Sequence, residues 1–227
     1  MLLTRIADYT IEIRNQYDYL RDQCRDYLIS HGDPDFVIEV SEEEIAAEQD
    51  GAYGPAYLES IAVYRKIART LFLHHSFVLH GVVIEADGVG IAFLANSGTG
   101  KSTHAALWKQ LPGKKITVIN GDKPIIRLCD GRLYAYGTPW AGKEGEQTNR
   151  KCVLQKICFL ERGTENRCAG LSGKDLIYRM LPFVYTETGM QALDVLQMLH
   201  QAKLEYYSLQ CNMDLSAAKT ACRGMGL

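Results

Sequence analysis

The residues best suited to chemistry form one glycine-rich run, Ala95-Asn96-Ser97-Gly98-Thr99-Gly100-Lys101-Ser102. Gly98 and Gly100 let the backbone curve so that successive N–H groups point inward, which is how such loops hold phosphate oxygens. Lys101 supplies a mobile cation for the β- and γ-phosphates, and Ser102 supplies a hydroxyl for Mg²⁺. The run therefore predicts a site for a nucleoside triphosphate, ATP or GTP, together with Mg²⁺.

The surroundings of this run favour the same interpretation. The full pattern Gly-x-x-x-x-Gly-Lys-[Ser/Thr] is missed at one position, because Ala95 stands where the first glycine is expected. An apolar strand at 91–95 leads into the run, and a helix at 101–109 follows it, so a helix N-terminus would face the anion. The alternative is a glycine-rich turn with an exposed lysine. The residues expected to contact the nucleotide are Asn96, Ser97, Gly98, Thr99, Gly100, Lys101, Ser102 and Thr103.

Asp122 is the predicted metal-binding carboxylate. It follows an apolar strand at 115–120 and lies about twenty residues beyond Lys101. A carboxylate at a strand end beside a phosphate loop can hold Mg²⁺ directly or through water, here together with Ser102. The alternative is an aspartate in a turn, because Gly121-Asp122 is also typical of turns.

Three further side chains are candidates for the catalytic group. His80 is expected near the end of the strand that pairs with the one entering the loop, where an imidazole can bind a phosphate oxygen or accept a proton. It can equally be a structural histidine. Lys143 and Arg150 lie in a long irregular segment, where they would stabilise the transferring phosphoryl group or hold an acidic acceptor. The alternative is a surface loop in which Trp140 packs on the domain.

The elements that position these residues follow from periodicity and turn signals. Hairpins are expected around Asp87-Gly88 and Asp130-Gly131. The pattern is that of a single α/β domain with a mixed sheet. Strands are predicted at 5–15, 36–40, 76–85, 91–95, 115–120, 125–128, 132–136, 153–160 and 204–209. Helices are predicted at 15–29, from 55 to about 71, and at 101–109, 174–181, 189–203 and 214–224.

Composition narrows the class of protein. With 227 residues and a net charge of -2, the chain is sized for one domain, and it carries no sign of a nucleic-acid partner. No apolar run is long enough to span a membrane, and the N-terminus does not read as a signal peptide. The seven cysteines include no Cys-x-x-Cys pair, which favours reduced thiols in the cytoplasm over zinc or disulfides. Oligomeric state, a homo-oligomer included, is left open.

Several of these segments resemble a known family. The run 80–85, then 90–94, then Ser97-Gly98-Thr99-Gly100-Lys101-Ser102 resembles the catalytic domain of bacterial HPr kinase/phosphorylase, over about residues 76–128. That domain shares its core with ATP-dependent phosphoenolpyruvate carboxykinase. Through 119–124, 136–143 and Asn149, most of the chain is similar to small uncharacterised bacterial relatives of that kinase. In those relatives alanine is usual at the first loop position.

The resemblance implies a fold and an activity. The fold would be a phosphoenolpyruvate-carboxykinase/HPr-kinase-like P-loop core at 76–227, with an α+β extension at 1–75 packed on it. The activity would be phosphoryl transfer from ATP or GTP to a hydroxyl of a peptide, a protein or a small molecule, with His80, Lys143 and Arg150 facing the acceptor. A carboxykinase-type lyase fits less well, because the chain is short and shows no set of arginines for a dicarboxylate.

Gly121 departs from the pattern of the relatives. They carry two adjacent aspartates here, and Asp122 matches the second, the metal-associated one. The first, which helps to activate the attacking hydroxyl, is Gly121 in this chain. The departure leaves three interpretations: another base, slow turnover, or a nucleotide-binding regulatory or accessory module with little catalysis.

Overall fold

The computed structural model describes residues 1–49, 51–173 and 176–227. Within these residues the protein has a mixed α/β fold with a three-stranded sheet and a curled, nine-stranded mixed sheet. The strands are β1 (Leu2–Ile6), β2 (Tyr9–Arg14), β3 (Phe36–Glu39), β4 (Ser76–Val78), β5 (Val82–Ala86), β6 (Val89–Leu94), β7 (Ile116–Asn120), β8 (Ile125–Cys129), β9 (Arg132–Tyr136), β10 (Lys151–Arg162), β11 (Arg167–Leu171) and β12 (Glu205–Cys211). The helices are α1 (Tyr19–Gln23), α2 (Glu42–Ala47), α3 (Pro55–Leu71), α4 (Lys101–Trp108), α5 (Gly189–Gln201) and α6 (Leu215–Gly224).

The N-terminal part forms the small sheet, in the order β1-β2-β3, with α3 in the same apolar core. The strand predicted at 5–15 is wrong as a single element. Ala7 and Asp8 both take a left-handed backbone, with φ of 54° and 62°, and turn the chain back into a hairpin. The helix predicted at 15–29 shrinks to α1 and a 3₁₀ turn at Arg25–Tyr27, because Leu28 is extended and bridges to Thr4.

The large sheet is centred on β10. Its order is β4-β8-β9-β10-β6-β5-β7, with β12 beside β10 and β11 beside β12. The early residues of β10 pair with β9 and the later ones with β12, which curls the sheet. α4 and α6 cover one face through Ala105, Trp108 and Ala221, whereas α5 packs Val195 and Leu199 on the other. A helix therefore shields each face of the strand that enters the glycine-rich run.

Most of the predicted central and C-terminal elements are confirmed, but two differ and one strand is additional. The strand predicted at 76–85 is broken into β4 and β5, because β4 pairs with β8 while β5 pairs with β6 and β7. β11 was not predicted. The helix predicted at 174–181 begins outside the described residues, and the chain beyond it forms a 3₁₀ helix at Tyr178–Phe183 that contains Pro182.

Over residues 1–49, 51–173 and 176–227, no helix combines the length and apolar character needed to cross a membrane.

Candidate active site

One edge of the large sheet collects most of the residues predicted to be functional. β5 is antiparallel to both β6 and β7, so the start of β5 lies beside the ends of those strands. His80 precedes β5, the glycine loop (residues 95–100) follows β6, and Asp122 follows β7. β10 runs parallel to β6, so Arg162 ends at the same edge. We call this region the loop edge.

The glycine loop turns tightly into α4. Gly98 and Gly100 have φ of 76° and 113°, a left-handed backbone that side chains rarely adopt. A Cβ at either position would meet nothing within 4 Å, so backbone conformation, not space, favours glycine here. Gly100 is the N-cap of α4, and within the described chain no side chain caps the first N–H groups of this helix. These free N–H groups and the helix dipole suit an anion.

Lys101 lies beneath the glycine loop and is buried, unlike the exposed lysine of the alternative interpretation. Its side chain is buried, and Nζ donates to the carbonyls of Ala95 at 2.8 Å and Asn96 at 3.4 Å. Burial lowers the Lys101 pKa and the charge of Lys123 adds to this, while Asp122 opposes it. The ammonium is therefore held inside the loop by carbonyls that phosphate oxygens can replace.

The other predicted loop contacts surround this ammonium. Ser102 lies in the first turn of α4 and is exposed, so its hydroxyl is accessible to a metal ion. The remaining predicted contacts are exposed at Asn96, Ser97 and Gly98 and half-buried at Thr99, Gly100 and Thr103. The loop thus offers an open backbone surface above a buried cation.

Arg162 is a loop-edge residue that the sequence did not reveal. Its guanidinium donates from Nε to the carbonyl of Thr99 at 3.2 Å and from its terminal nitrogen to the carbonyl of Gly98. Because Arg162 ends β10, its position depends on the parallel pairing of β10 with β6. These bonds hold the outer side of the glycine loop and place a second cation beside it.

Asp122 is surrounded by cationic and titratable groups. Its Oδ1 lies 3.3 Å from His80 Nε2 and 3.4 Å from Lys123 Nζ. Burial lowers the His80 pKa and the charges of Lys123 and Lys101 lower it further, against the opposing effect of Asp122. His80 is therefore neutral at neutral pH, the form that can accept a proton.

Asn120 and Thr138 hold Asp122 in place. The fully buried Asn120 side chain accepts from the backbone N–H of Asp122 at 2.9 Å and of Lys123 at 2.7 Å, and its amide donates to the Thr138 carbonyl at 3.0 Å. The Thr138 hydroxyl donates to the Lys123 carbonyl at 2.8 Å. The available sequence signal was an asparagine two residues before the aspartate, which is typical of an Asx turn.

Gly121 allows a close approach of the segment that carries Lys143. A Cβ at Gly121 would lie 3.0 Å from the Ala141 carbonyl oxygen and 3.2 Å from that of Glu146. Gly121 N–H also donates to the Glu146 carbonyl at 2.9 Å. A side chain at this position would therefore require the carbonyls of the loop segment (residues 137–150) to move by a few tenths of an ångström.

The structure separates the two predicted cations of the loop segment. Lys143 is exposed and follows Gly142, which packs against Asp122, so Lys143 lies next to the loop edge. Arg150 is exposed, and its carbonyl accepts from Gly137 N–H. In the described part of the chain, no hydrogen bond or ion pair joins the Arg150 side chain to Asp122.

The N-terminal part anchors the loop segment. Trp140 is buried, and its indole N–H donates to the Ser60 carbonyl of α3 at 3.2 Å. The Gln23 amide of α1 donates to the Pro139 carbonyl at 3.3 Å. The Asn149 amide donates to the Asp26 carbonyl at 2.9 Å. The position of Lys143 thus depends on contacts between residues that are 80 to 123 positions apart in the chain.

The donor set fits a Mg²⁺ ion that arrives with a nucleotide. Among the described residues, no group of three or more His, Cys, Asp or Glu side chains is placed to hold a metal ion. Mg²⁺ commonly takes one or two protein ligands and completes its shell with phosphate oxygens and water. Asp122 and Ser102 meet that requirement by chemistry, but they do not form a complete protein cage.

His104, in α4 behind the loop, makes stability depend on pH. It is 2% exposed, its Nε2 accepts from Trp108 at 2.9 Å, and its Nδ1 has no partner among the described residues. Burial lowers its pKa from 6.5 to about 4. Between those values the unfolded chain binds a proton that the folded chain does not, so stability falls as pH drops from 6.5 toward 4.

We therefore expect the His104 contribution to fall by about 2–3 kcal/mol from pH 7.5 to pH 4.5. Urea unfolding at both pH values measures this loss. His104→Gln retains an acceptor for Trp108 and should reduce the pH-dependent loss by that amount. His31→Gln, at an exposed position, is the control and should leave the loss as in the wild type. Equal losses in all three proteins would contradict the assignment.

Comparisons with known proteins give structural matches but no match to a family model or to a curated protein. Among solved structures, the chain is similar to the Hpr(Ser) kinase/phosphatase from Coxiella burnetii. The identity is 13%, the match covers 66% of this chain and 95% of that chain, and the TM-score is 0.37. Values this low establish no common family, so membership of the HPr-kinase-like family stays a prediction.

Proposed function

We propose that this protein is a Mg²⁺-dependent kinase that transfers the γ-phosphoryl group of ATP or GTP to a hydroxyl. The observation that carries the proposal is the loop edge itself. A glycine loop with a buried, hydrogen-bonded Lys101 lies at the same sheet edge as the neutral His80 and the carboxylate of Asp122. Phosphoryl transfer requires mainly positioning and charge neutralisation, and this set provides both.

The residues at the loop edge and in the loop segment divide the work of nucleotide binding, metal binding and proton transfer among them. The backbone of residues 96–103 and Lys101 hold the triphosphate. Ser102 and Asp122 hold Mg²⁺, which neutralises charge on the phosphates when bound. His80 accepts the proton of the acceptor hydroxyl, because it is the titratable group beside Asp122 whose pKa is lowered. Lys143 faces the acceptor or the transferring group, as does Arg150 if the loop segment rearranges when ligands bind.

We also propose that the chain folds as one domain, with a P-loop kinase-like core at 76–227 and the extension 1–75 packed on it, in the cytoplasm. The support is the set of contacts between the two parts, among them Tyr136 Oη to Asp8 Oδ2 at 2.8 Å and Trp140 to Ser60. All seven cysteines are free thiols, as expected in a reducing compartment.

A second candidate is a nucleotide-binding regulatory module with little catalysis. Gly121 favours it, because the loop segment packs where the resemblance implies a catalytic carboxylate. Incubation with γ-labelled ATP or GTP and Mg²⁺ separates the two functions. A kinase releases label to an acceptor or to water in repeated turnovers, whereas a binding module retains the nucleotide intact. Neither binding nor turnover with either nucleotide would reject both functions.

If His80 is the base, activity should depend on its protonation. Turnover should rise as pH increases and level off above a midpoint below 6.5, since burial and the neighbouring lysines lower the His80 pKa. His80→Gln should lose about a hundredfold in turnover and the acidic limb of the profile. His75→Asn is the control, because asparagine tolerates the left-handed backbone at this position. If the pH profile of His80→Gln turnover kept the same acidic limb, the titrating group would be a residue other than His80.

A further inference from the structure

The guanidinium of Arg162 bonds to two consecutive carbonyls of the glycine loop. Its Nε donates to the Thr99 carbonyl at 3.2 Å, and a terminal nitrogen donates to the Gly98 carbonyl. In the described part of the chain no carboxylate pairs with this guanidinium, whereas Arg14 and Arg69 both pair with glutamates. The planar fork of donors on Arg162 therefore serves the backbone of the loop.

The two bonds determine the direction in which the next backbone N–H groups point. A peptide unit is planar and trans, so the C=O of one residue and the N–H of the next point to opposite sides. The carbonyls of Gly98 and Thr99 are turned toward Arg162. The N–H groups of Thr99 and Gly100 consequently face away from it. One guanidinium thus sets the orientation of two successive donors of the loop.

The side that these N–H groups face is the side of the Lys101 ammonium. Thr99 N–H donates to the Asn96 carbonyl at 3.2 Å, and Lys101 Nζ donates to the same carbonyl at 3.4 Å. Gly100 N–H has no hydrogen-bond partner among the described residues. Backbone donors gathered around a cation are the arrangement that holds phosphate oxygens. Arg162 therefore acts on the loop from the outside, opposite the surface that faces the ammonium.

The large sheet makes Arg162 a rigid support for a loop that is otherwise easily deformed. Arg162 ends β10, and the glycine loop directly follows β6, the strand with which β10 pairs in parallel. The loop turns through Gly98 and Gly100, and glycine has more backbone freedom than any other residue. Ordering a flexible loop on binding costs affinity, and a loop held in its binding conformation avoids that cost.

We propose that Arg162 is a positioning residue for nucleotide binding. Its forked contact with the loop carbonyls holds the N–H groups of Thr99 and Gly100 toward the phosphates before the nucleotide arrives. The ligand is a Mg-bound nucleoside triphosphate. The inference rests on the proposed function only in that the glycine loop binds this nucleotide, and it does not depend on transfer of the phosphoryl group.

Two substitutions separate the geometry of Arg162 from its charge. Arg162→Lys keeps the charge but has no planar fork for two neighbouring carbonyls, and Arg162→Gln removes the charge. Calorimetry with Mg-ATP and Mg-GTP should show that both variants bind about tenfold more weakly than wild type. Turnover at saturating nucleotide should change less than about twofold, because the loop holds the phosphates alike in the ground state and the transition state. Arg167→Lys and Arg167→Gln, at an exposed arginine of β11, are the matched controls.

The amide NMR signals of Thr99 and Gly100 in the nucleotide-free protein provide a measurement that a general loss of stability does not reproduce. Both Arg162 variants should shift or broaden these two signals while Tm changes little. Lower affinity with a large fall in Tm and unchanged Thr99 and Gly100 signals would mean that Arg162 is only structural, and would overturn the proposal.

The affinities decide between the remaining outcomes. Unchanged affinity in both Arg162 variants would overturn the positioning role, and so would affinity that is kept by Arg162→Lys and lost by Arg162→Gln, because charge alone would then matter. Wild type that binds neither nucleotide would reject the proposed function and this inference together. Wild type that binds nucleotide without turnover would reject the kinase alone, and weaker binding by both variants would still support the positioning role.

Discussion

Replacing Lys101 by methionine should weaken Mg-nucleotide binding about tenfold to a hundredfold and lower kcat/KM about 10²–10³-fold. Hydrogen bonds to charged groups contribute about 1.5–3 kcal/mol each, and a cation aimed at developing phosphate charge counts further in the transition state. Methionine keeps the unbranched shape and most of the length of the side chain but removes the ammonium. Calorimetry with Mg-ATP and Mg-GTP, and labelled-nucleotide turnover, measure the two effects.

Because Lys101 is buried, the stability of the Lys101→Met variant must be measured as well. The variant leaves the Ala95 and Asn96 carbonyls without their donor, but it also removes the cost of burying a charge. We therefore expect Tm to change little. Lys115→Met makes the same substitution at an exposed lysine and is the matched control. It should behave like wild type in every assay. Unchanged nucleotide affinity with unchanged Tm would mean that the glycine loop is not a phosphate site.

The sequence predicted the central elements because their signals are local. The turn at Asp87-Gly88 has left-handed φ values of 49° and 87°, and the strand alternation on either side identifies the β5–β6 hairpin. Pro55 at the start of α3 has the same local character, since a missing N–H is tolerated in the first turn. Where local chemistry determines the backbone, the pattern alone was sufficient.

The N-terminal part was predicted less well because tertiary contacts override its pattern. Tyr17, Leu20, Cys24 and Leu28 have helical spacing, yet the helix ends at Gln23. Tyr27 is fully buried and its hydroxyl bonds to Gln147, which pulls this part of the chain toward the loop segment. Such a contact, 120 residues apart, leaves no signal in the local sequence.

The same reason explains which parts of the site were found. Lys101, Ser102 and Asp122 belong to short motifs, whereas Arg162 reaches the glycine loop only because β10 pairs in parallel with β6. The crowding at Gly121 depends on the loop segment that crosses it. The sequence could identify the missing aspartate, but only the fold explains what occupies the space.

Replacing Asp122 by asparagine should reduce turnover about 10²–10³-fold and raise the Mg²⁺ concentration for half-maximal activity about tenfold. The amide keeps the shape of the side chain but cannot neutralise a metal ion, and an interaction that matters most in the transition state lowers turnover. The fold should persist, because Asn120 holds the Asp122 backbone N–H independently of the carboxylate. Asp130→Asn, in the β8–β9 turn, is the matched control, since asparagine also tolerates the left-handed backbone there.

The Asp122 variant also tests how the carboxylate and His80 are coupled. Asp122 raises the His80 pKa against the lowering effects of burial and the two lysines, so its removal should lower that pKa further. The acidic limb of the variant's residual activity should then lie at a lower pH than the acidic limb of the wild type. A shift of the Mg²⁺ requirement without a shift of the limb would make Asp122 a metal ligand only and place the base elsewhere. A shift of the acidic limb without a change in the Mg²⁺ requirement would mean that Asp122 is a partner of His80 and does not bind the metal ion. Only the two shifts together support one carboxylate that serves both the metal ion and the proton acceptor.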